Sequence, residues 1–301
     1  MEMRLLPIED GFSVLVPEGS DIRRRLPVRD RYAHKGDFGR DLLLCGSVGY
    51  TGAAALAARA ALRCGAGLVT VLTPKEAYPV VAVKLDEAMV RPVACDGEGR
   101  VSREAEGEIL AQLAKADCAL IGPGLGRSEA LDALIPAVIR AARCPVVLDA
   151  DGLNAFAGHI DILRGAKAPV ILTPHDGEFA RLLPDEPPLP KTDLPARCRA
   201  AARLAEAAGC IVLLKGHRTV ITDGEKYYVN FTGNPGMATG GSGDVLSGII
   251  VSLLGQGVKP LEAAALGAWL HGAAGDLCAE ELGECGLLAG DLIVACARLL
   301  K

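Results

Sequence analysis

Residues 233–244 read GNPGMATGGSGD and run directly into the apolar stretch VLSGIIVSLL at 245–254. This pattern predicts a helix that begins near Asp244 and is preceded by a loop of small residues. The first backbone N–H groups of a helix have no partners within it, and the helix dipole adds partial positive charge beside them. The loop therefore predicts an anion-binding site, formed by Gly240, Gly241, Ser242 and Gly243.

Asp244 lies in the first turn of this predicted helix. The transfer of a phosphoryl group needs neutralisation of the phosphoryl oxygens and a base near the attacking hydroxyl. An anion-binding loop with a carboxylate at its edge supplies both from one piece of chain, so we expect Asp244 to be the catalytic base. The alternative is that Asp244 only stabilises the N-terminus of the helix, where aspartate is common.

Upstream of this loop, short β-rich runs alternate with alanine-rich helical patterns. Such alternation predicts an α/β fold with a mostly parallel central sheet and helices on both faces. The proline-rich segment 184–195 is predicted to be a surface loop. The predicted strands are 42–45, 68–72, 118–121, 146–148, 170–172 and 211–214, with a hairpin at 219–221 and 226–229. The predicted helices are 53–64, 104–116, 131–142, 194–208, 244–254, 260–281 and 289–300.

Clusters of glycine and polar residues follow nearly every predicted strand. In an open parallel sheet, ligands bind outside the carboxyl ends of the strands, so these clusters predict a ligand site along that edge. Neither the dinucleotide motif GxGxxG nor a Walker A loop is present, so a nucleotide must bind in another way. The clusters occupy residues 46–52, 122–126, 149–154, 173–178 and 215–217.

Composition and charge exclude several classes of protein. The chain has 301 residues and a net charge of −5, and it lacks a long cluster of lysine and arginine, which argues against nucleic acid as a partner. Its ten cysteines are scattered singly, without a CxxC pair, as is typical of a reducing compartment. We find no signal peptide and no membrane-spanning run, so we expect a cytoplasmic protein without membrane association.

Several blocks of the sequence resemble the ADP/ATP-dependent NAD(P)H-hydrate dehydratases, which belong to the ribokinase-like superfamily. GSGD alone would indicate only the superfamily, whereas TPHDGEF at 173–179 together with GNPGMATGGSGD is far more specific to the dehydratases. The resemblance covers most of the chain from residue 34. The other matching blocks are HKGDFGR (34–40), GSVGYTGAAALAARAALRCGAGLVTV (46–71), GPGLG (122–126), LDADGLN (148–154) and KGHRTVI (215–221).

The resemblance implies a hydro-lyase that restores NADH and NADPH from the S epimer of their hydrates. The ring hydroxyl would be phosphorylated from ADP or ATP, with Mg²⁺ screening the phosphates, and the loss of phosphate would complete the dehydration. Asp244 would deprotonate the hydroxyl. The matching positions imply that the hydrated dinucleotide contacts Ala53, Gly124, His175 and Asp244. They imply that the adenine nucleotide contacts Lys215, Gly216, His217, Arg218, Thr219 and Gly243, and they make Asn154 and Glu178 further candidates.

The resemblance also implies a domain organisation and an oligomeric state. We expect residues 34–301 to form a single ribokinase-like domain and residues 1–33 to form an N-terminal extension. Many family members carry a further domain that epimerises the hydrate, and 33 residues are too few for it, so we expect any epimerase to be a separate polypeptide. The family often forms tetramers, which implies a homo-oligomer. The resemblance is stronger to the ADP-using enzymes, so we expect ADP.

Two other functions remain open from the sequence. A ribokinase-like kinase that phosphorylates a vitamin-precursor alcohol would share GSGD and the fold, but not TPHDGEF. A non-catalytic nucleotide-binding protein would not need Asp244. At single positions, His175 could be only a structural hydrogen-bonding residue, and Lys215 could be a strand-end lysine that extends into solvent.

Overall fold

The centre of the molecule is a large twisted sheet, seen in a computed structural model that describes residues 3–8 and 13–301. Its strands are β1 (Arg4–Pro7), β2 (Ser13–Val16), β3 (Arg40–Leu44), β4 (Leu68–Pro74), β5 (Met89–Val93), β6 (Cys118–Ile121), β7 (Val146–Leu148), β8 (Val170–Leu172), β9 (Ile211–Leu214), β10 (Val220–Thr222) and β11 (Tyr227–Val229). The α-helices are α1 (Gly19–Arg25), α2 (Thr51–Arg63), α3 (Tyr78–Lys84), α4 (Glu106–Leu113), α5 (Glu129–Ala141), α6 (Asp151–Asn154), α7 (Asp176–Leu182), α8 (Leu194–Ala208), α9 (Ser242–Gly255), α10 (Pro260–Leu282) and α11 (Ala289–Leu299).

Within the described residues the strand order is β1-β2-β11-β10-β9-β8-β7-β6-β3-β4-β5. Every neighbouring pair from β9 to β5 is parallel. The remaining strands add a mostly antiparallel edge, in which β10 and β11 form a hairpin. The predicted α/β class with a mostly parallel sheet is therefore confirmed.

Helices cover both faces of the sheet. Successive strand residues point to opposite faces, so Leu43 and Leu42 belong to two different cores. The core around Leu43 includes residues of α2, α9, α10 and α11, whereas the core around Leu42 includes residues of α4, α5 and α8. Because both faces are buried, the strands read as the short aliphatic runs seen in the sequence.

Local signals fix the ends of the helices. Asp193 caps α8, since its carboxylate accepts the N–H of Ala196 at 2.8 Å, and Pro195 occupies the first turn, where its missing N–H costs nothing. Gly209 ends the same helix in a left-handed conformation with φ of 65°. The predicted boundaries 194–208 are confirmed, and residues 183–193 before them form no helix or strand.

The described part of the segment 1–33 contributes to the sheet. β1 pairs with β2, and β2 pairs in parallel with β11 through Tyr228 and Leu15. We expected only an extension here, and the division between extension and domain at residue 34 stays a prediction. Residues 1–2 and 9–12 of that segment lie outside the described residues.

Small residues place α9 close to its neighbours. A Cβ on Gly248 would lie 2.8 Å from the Cβ of Ala60, so only glycine lets α9 pack this tightly against α2. This close packing fixes the position of α9, the helix that follows the glycine-rich loop. None of the helices in the described part of the chain is both long enough and apolar enough to cross a membrane.

Candidate active site

The five predicted ligand loops lie along one edge of the sheet. They follow β3, β6, β7, β8 and β9, and these strands are consecutive parallel neighbours. Two residues other than glycine with positive φ lie in these loops, Ala150 at 48° after β7 and Arg218 at 57° after β9. Such backbone conformations are costly and cluster at functional sites. The prediction that the clusters meet at one edge is confirmed.

The glycine-rich loop ends at the N-terminus of α9. Gly241 caps the helix with φ of 89°, a conformation that favours glycine. A Cβ at this position would also clash with the side chain of Leu56, so both the backbone conformation and the packing exclude a side chain. In contrast, a Cβ on Gly240 would meet nothing within 4 Å. There is therefore open space beside the loop that leads into α9, as an anion site requires, although the N–H of Ser242 itself donates to the Thr239 carbonyl oxygen at 3.4 Å. Ser242, the first residue of α9, is buried.

A buried ion pair lies beneath this helix terminus. The Asp149 carboxylate, directly after β7, accepts hydrogen bonds from Lys215 Nζ at 2.9 Å, Thr173 Oγ1 at 2.7 Å and Ser247 Oγ at 2.6 Å. Burial alone would raise the pKa of Asp149, but the Lys215 ammonium and these hydrogen bonds hold that pKa below its usual value. Since Ser247 belongs to α9, Asp149 ties the helix to the sheet.

The same pair places a positive charge at the anion site. A Cβ on Gly243 would lie 3.7 Å from Lys215 Nζ, so the ammonium is next to the first turn of α9. Burial alone would lower the pKa of Lys215, but Asp149 and Glu178 outweigh that effect and raise it. Lys215 therefore stays charged. Its side chain is only 20% exposed, so the alternative of a lysine that merely extends into solvent is disfavoured.

Asp244 stands at the edge of this arrangement. No group in the described part of the chain donates a hydrogen bond to its carboxylate. Burial, followed by the repulsion from Asp149, raises the pKa of Asp244 to about 7, although Lys215 acts in the opposite direction. A carboxylate with a pKa near the working pH is well suited to accept a proton from a substrate.

Ala53 and Gly124 lie side by side on the other flank of the site. A Cβ on Gly124 would lie 2.9 Å from the Cβ of Ala53, and Gly124 has φ of 65°. Ser47 Oγ donates a 2.8 Å hydrogen bond to the carbonyl oxygen of Gly124, which joins the loops after β3 and β6. These two predicted contacts for the hydrated dinucleotide thus belong to one surface.

His175 caps α7. Its Nδ1 accepts the N–H groups of Gly177 at 3.0 Å and Glu178 at 3.2 Å, while the Glu178 carboxylate accepts the His175 N–H at 2.8 Å. Glu178 is buried, and its Oε2 lies 3.6 Å from Lys215 Nζ. The His175 side chain is still 55% exposed, although its Nε2 lies 3.5 Å from Glu178 Oε1, so part of the ring surface remains accessible to a ligand.

The loop after β9 forms the far end of the site. Gly216, His217 and Arg218 are exposed, and Thr219 Oγ1 closes the loop with a 3.1 Å hydrogen bond to the carbonyl oxygen of Gly216. The Arg218 guanidinium lies 5.2 Å from the centre of the Phe231 ring. The structure thus brings Lys215 to the anion site and leaves the rest of the loop open to a nucleotide.

Comparison with known proteins decides the family. The family model for NAD(P)H-hydrate dehydratases matches residues 42–298 of this chain. The chain belongs to the NAD(P)H-hydrate dehydratase family. That assignment supports the dehydratase interpretation of the sequence and not the vitamin-kinase alternative.

Individual relatives agree with the family model. The chain is 48% identical over 273 residues to a bifunctional NAD(P)H-hydrate repair enzyme of Moorella thermoacetica, covering 90% of this chain and 51% of that protein. It is 38% identical to an ADP-dependent (S)-NAD(P)H-hydrate dehydratase of Neisseria meningitidis, covering 89% and 87% respectively. The chain spans about half the length of most of the curated relatives it matches.

The fold of the family is also shared. A crystal structure of the ADP/ATP-dependent NAD(P)H-hydrate dehydratase from Bacillus subtilis, co-crystallised with ATP and Mg²⁺, superposes with a TM-score of 0.78 at 32% identity. The match covers 94% of this chain and 96% of that one. The ribokinase-like fold predicted from the sequence is confirmed.

The sequence did not single out Asp149, Thr173 or Ser247. Asp149 and Thr173 are each the first residue after a strand, and that position was the available signal. Only the strand order shows that Asp149 meets both Thr173 and Lys215. His271 is a further residue that no sequence motif marks. Its Nε2 lies 3.2 Å from Ser242 Oγ, and burial lowers the pKa of His271 to about 4, so a neutral imidazole supports the start of α9.

Changing His175 tests its two roles separately. We expect His175→Ala to lower the free energy of unfolding by about 1 kcal/mol, because the cap of α7 is lost. It should also weaken binding of the hydrated dinucleotide, the ligand expected at this turn. His175→Asn is the matched control, since asparagine can cap the helix but lacks the imidazole. Urea unfolding and the KM for the hydrate give the two readouts. An unchanged KM in both variants would leave His175 as a helix cap alone.

Proposed function

We propose that the protein dehydrates the S epimer of hydrated NADH and NADPH at the expense of ADP or ATP, restoring NADH and NADPH. The observation that carries this proposal is the free Asp244 carboxylate, with a pKa of about 7, at the N-terminus of α9 beside the Lys215 ammonium. The family assignment and the name of the Neisseria meningitidis relative, an ADP-dependent (S)-NAD(P)H-hydrate dehydratase, support the choice of substrate.

In the first step, the hydroxyl of the hydrated ring loses its proton to Asp244. The oxygen then forms a bond to the terminal phosphorus of the nucleotide, and the bond from that phosphorus to the leaving phosphate oxygen breaks. The N–H group of Gly243, in the first turn of α9, and the Lys215 ammonium stabilise the negative charge on the phosphoryl oxygens. With ADP as donor, the nucleotide product is AMP.

In the second step, phosphate departs from the ring. The carbon–oxygen bond breaks, the adjacent ring carbon releases a proton to solvent, and the electron pair of that carbon–hydrogen bond forms the ring double bond. Hydroxide is a poor leaving group and phosphate is a good one, so phosphorylation is the step that makes the dehydration possible. The overall products are NADH or NADPH, phosphate and the shortened nucleotide.

The residues at the site fit a magnesium ion that arrives with the nucleotide. The described residues contain no cluster of three or more histidine, cysteine or acidic side chains able to hold a metal by themselves. Mg²⁺ bound to phosphates needs only one or two protein carboxylates. Glu178, buried and 3.6 Å from Lys215 Nζ, would hold it, and the ion would supply neutralisation of the phosphates.

The two ligands would enter from opposite sides of Asp244. The loop Lys215 to Thr219 would hold the adenine nucleotide, while Ala53, Gly124 and His175 would contact the hydrated dinucleotide. We favour ADP as donor because the Neisseria meningitidis relative is named ADP-dependent, although the Bacillus subtilis relative is named ADP/ATP-dependent. The proposal includes a homo-oligomer, with the tetramer common in the family as the expected form, and any epimerase as a separate partner.

A cytoplasmic location is part of the proposal. All ten cysteines are free thiols, and eight of them are buried within apolar packing, as suits a reducing compartment.

The direct test is to incubate the protein with hydrated NADH, ADP and Mg²⁺ and to follow the absorbance of reduced nicotinamide. We expect NADH, AMP and phosphate in equal amounts. A stable phosphate ester without NADH would instead identify a simple kinase. No reaction with either hydrate, with either nucleotide, would refute the proposal.

A further inference from the structure

Two arginines converge on one neutral oxygen at the edge of the site. Arg127, in the loop after β6, and Arg181, in α7, both donate hydrogen bonds to Oδ1 of Asn154. The Arg181 bond measures 3.1 Å. Because they share one acceptor atom, the two guanidinium groups must lie close together, and both side chains belong to exposed residues.

Neither guanidinium is neutralised by a carboxylate in the described part of the chain. Asn154 Nδ2 donates to Asp151 Oδ1 at 3.2 Å, and the other oxygen of Asp151 accepts the N–H of Gly126 at 2.8 Å. Arg100, nearby, differs in being paired with Asp96 and Glu98, each at 2.9 Å. Two like charges held together without a counterion repel each other, and an anion bound between them would remove that repulsion.

A cavity of about 470 Å³ adjoins Arg127 and is also lined by the Arg100–Glu98 ion pair. Its lining includes Ser47, Tyr50, Gly126, Arg127 and Asp151. Ser47 and Tyr50 also contact Gly124, since Ser47 Oγ bonds to the Gly124 carbonyl and a Cβ on Gly124 would lie 2.9 Å from Tyr50. The cavity is therefore bordered by two residues, Ser47 and Tyr50, that also contact Gly124.

We propose that Arg127 and Arg181 form a subsite for a phosphate group of the hydrated dinucleotide. This inference rests on the proposed function. Guanidinium groups bind phosphate through paired, charge-assisted hydrogen bonds, which a single lysine cannot match. Asn154 acts as a positioning residue that holds the two arginines in place.

Position along the sheet favours the dinucleotide over ADP. The loop Lys215 to Thr219 follows β9, whereas Arg127 follows β6, three strand spacings or about 14 Å away. Arg181 belongs to α7 after β8, but its guanidinium reaches away from β9 to Asn154, which follows β7. The reacting hydroxyl has to lie at Asp244 with the phosphates of ADP on the Lys215 side. The remainder of the dinucleotide must then extend the other way, past Gly124 toward Arg127.

The proposed ligand of the subsite is a phosphate group, and the hydrated dinucleotides contain two kinds of phosphate. The pyrophosphate is present in both dinucleotides, while the 2′-phosphate is present only in the NADPH form. Since NADH and NADPH are the proposed products and are stable, their binding can be measured without turnover. The experiment is calorimetric titration of NADH, NADPH and ADP into the parent protein, Arg127→Ala and Arg181→Ala.

Arg143→Ala is the matched control. Arg143 is exposed and lies between α5 and β7, at the amino end of the strands, where its guanidinium donates a hydrogen bond to the Ala141 carbonyl oxygen. The Arg143→Ala substitution removes one positive charge, as the two test substitutions do, but leaves the subsite unchanged. Thermal unfolding of all variants checks that each is folded.

We expect each of the two substitutions to weaken dinucleotide binding by about 10-fold or more, as for loss of a hydrogen bond between charged groups, with ADP binding unchanged. Weakening for both NADH and NADPH assigns the subsite to the pyrophosphate, and weakening for NADPH alone assigns it to the 2′-phosphate. Unchanged binding of both, or weakening of ADP instead, would overturn the inference, as would a parent protein that binds neither dinucleotide. If the expected pattern appears but no hydrate is converted, the subsite stands and the proposed function fails.

Discussion

Replacing Asp244 with asparagine is expected to abolish regeneration of reduced nicotinamide while leaving the protein folded and able to bind ADP. The variant keeps the size of the side chain, and no hydrogen bond to the carboxylate in the described part of the chain is lost. What disappears is the proton acceptor, and a positioned base contributes about 10²–10⁴-fold in rate. Removing a negative charge that faces the phosphates should leave ADP affinity equal or slightly higher.

The pH dependence of the parent enzyme gives the same residue a second test. Asp244 accepts a proton only when it is ionised, and its pKa is raised to about 7 by burial and by Asp149. The rate should therefore increase as the pH rises through about 7 and level off above it. The residual rate of Asp244→Asn should lack this inflection. Near-normal turnover in the variant would mean that Asp244 only stabilises the N-terminus of α9.

Replacing Lys215 with methionine is expected to have the largest effect on stability and to weaken ADP binding as well. Asp149 would remain buried without its ion-pair partner, and breaking a buried pair in this way costs about 3–5 kcal/mol. ADP would lose a charge-assisted contact to its phosphate, worth about 1.5–3 kcal/mol. Urea unfolding and calorimetry measure the two effects independently.

The double variant Lys215→Met with Asp149→Asn separates structure from binding. The asparagine introduced at position 149 can still accept the Thr173 hydroxyl through its oxygen, and its amide NH2 can donate to Ser247 Oγ, whose own proton then goes to the Gly243 carbonyl oxygen. Asparagine also carries no charge that needs a partner. We expect much of the stability to return, because replacing a whole buried pair is far less costly than removing one member. ADP binding should stay weak, since no cation remains beside Gly243. ADP affinity equal to that of the parent in a folded Lys215→Met would limit the lysine to a structural role.

The predicted strands and helices of the parallel core agree with the structure closely, and their agreement has a local cause. Strands such as β6, β7 and β8 are buried on both faces, so each appears in the sequence as an uninterrupted aliphatic run. The elements that were missed lack such a pattern. β5 contains Pro92, which argues against a strand in the middle of a sheet, but β5 is the edge strand, where a missing donor is tolerated.

The N-terminal strands were missed for a similar reason. β1 and β2 are four residues each, and neither alternates clearly between apolar and polar side chains. The pairing of β2 with β11 joins Leu15 to Tyr228, more than two hundred positions further along the chain. Local sequence carries no information about such a contact.

By itself, the sequence determined that a glycine-rich loop leads into an apolar helix, that Asp244 stands in its first turn, and that polar clusters follow the parallel strands. Periodicity and small residues act over a few positions, so they can be read along the chain. Only the tertiary structure decided that Asp149, Lys215 and Ser247 form one buried network and that Arg127 and Arg181 share Asn154. These residues come from separate strands and helices, and it is the order of strands in the sheet, a long-range property of packing, that brings them together.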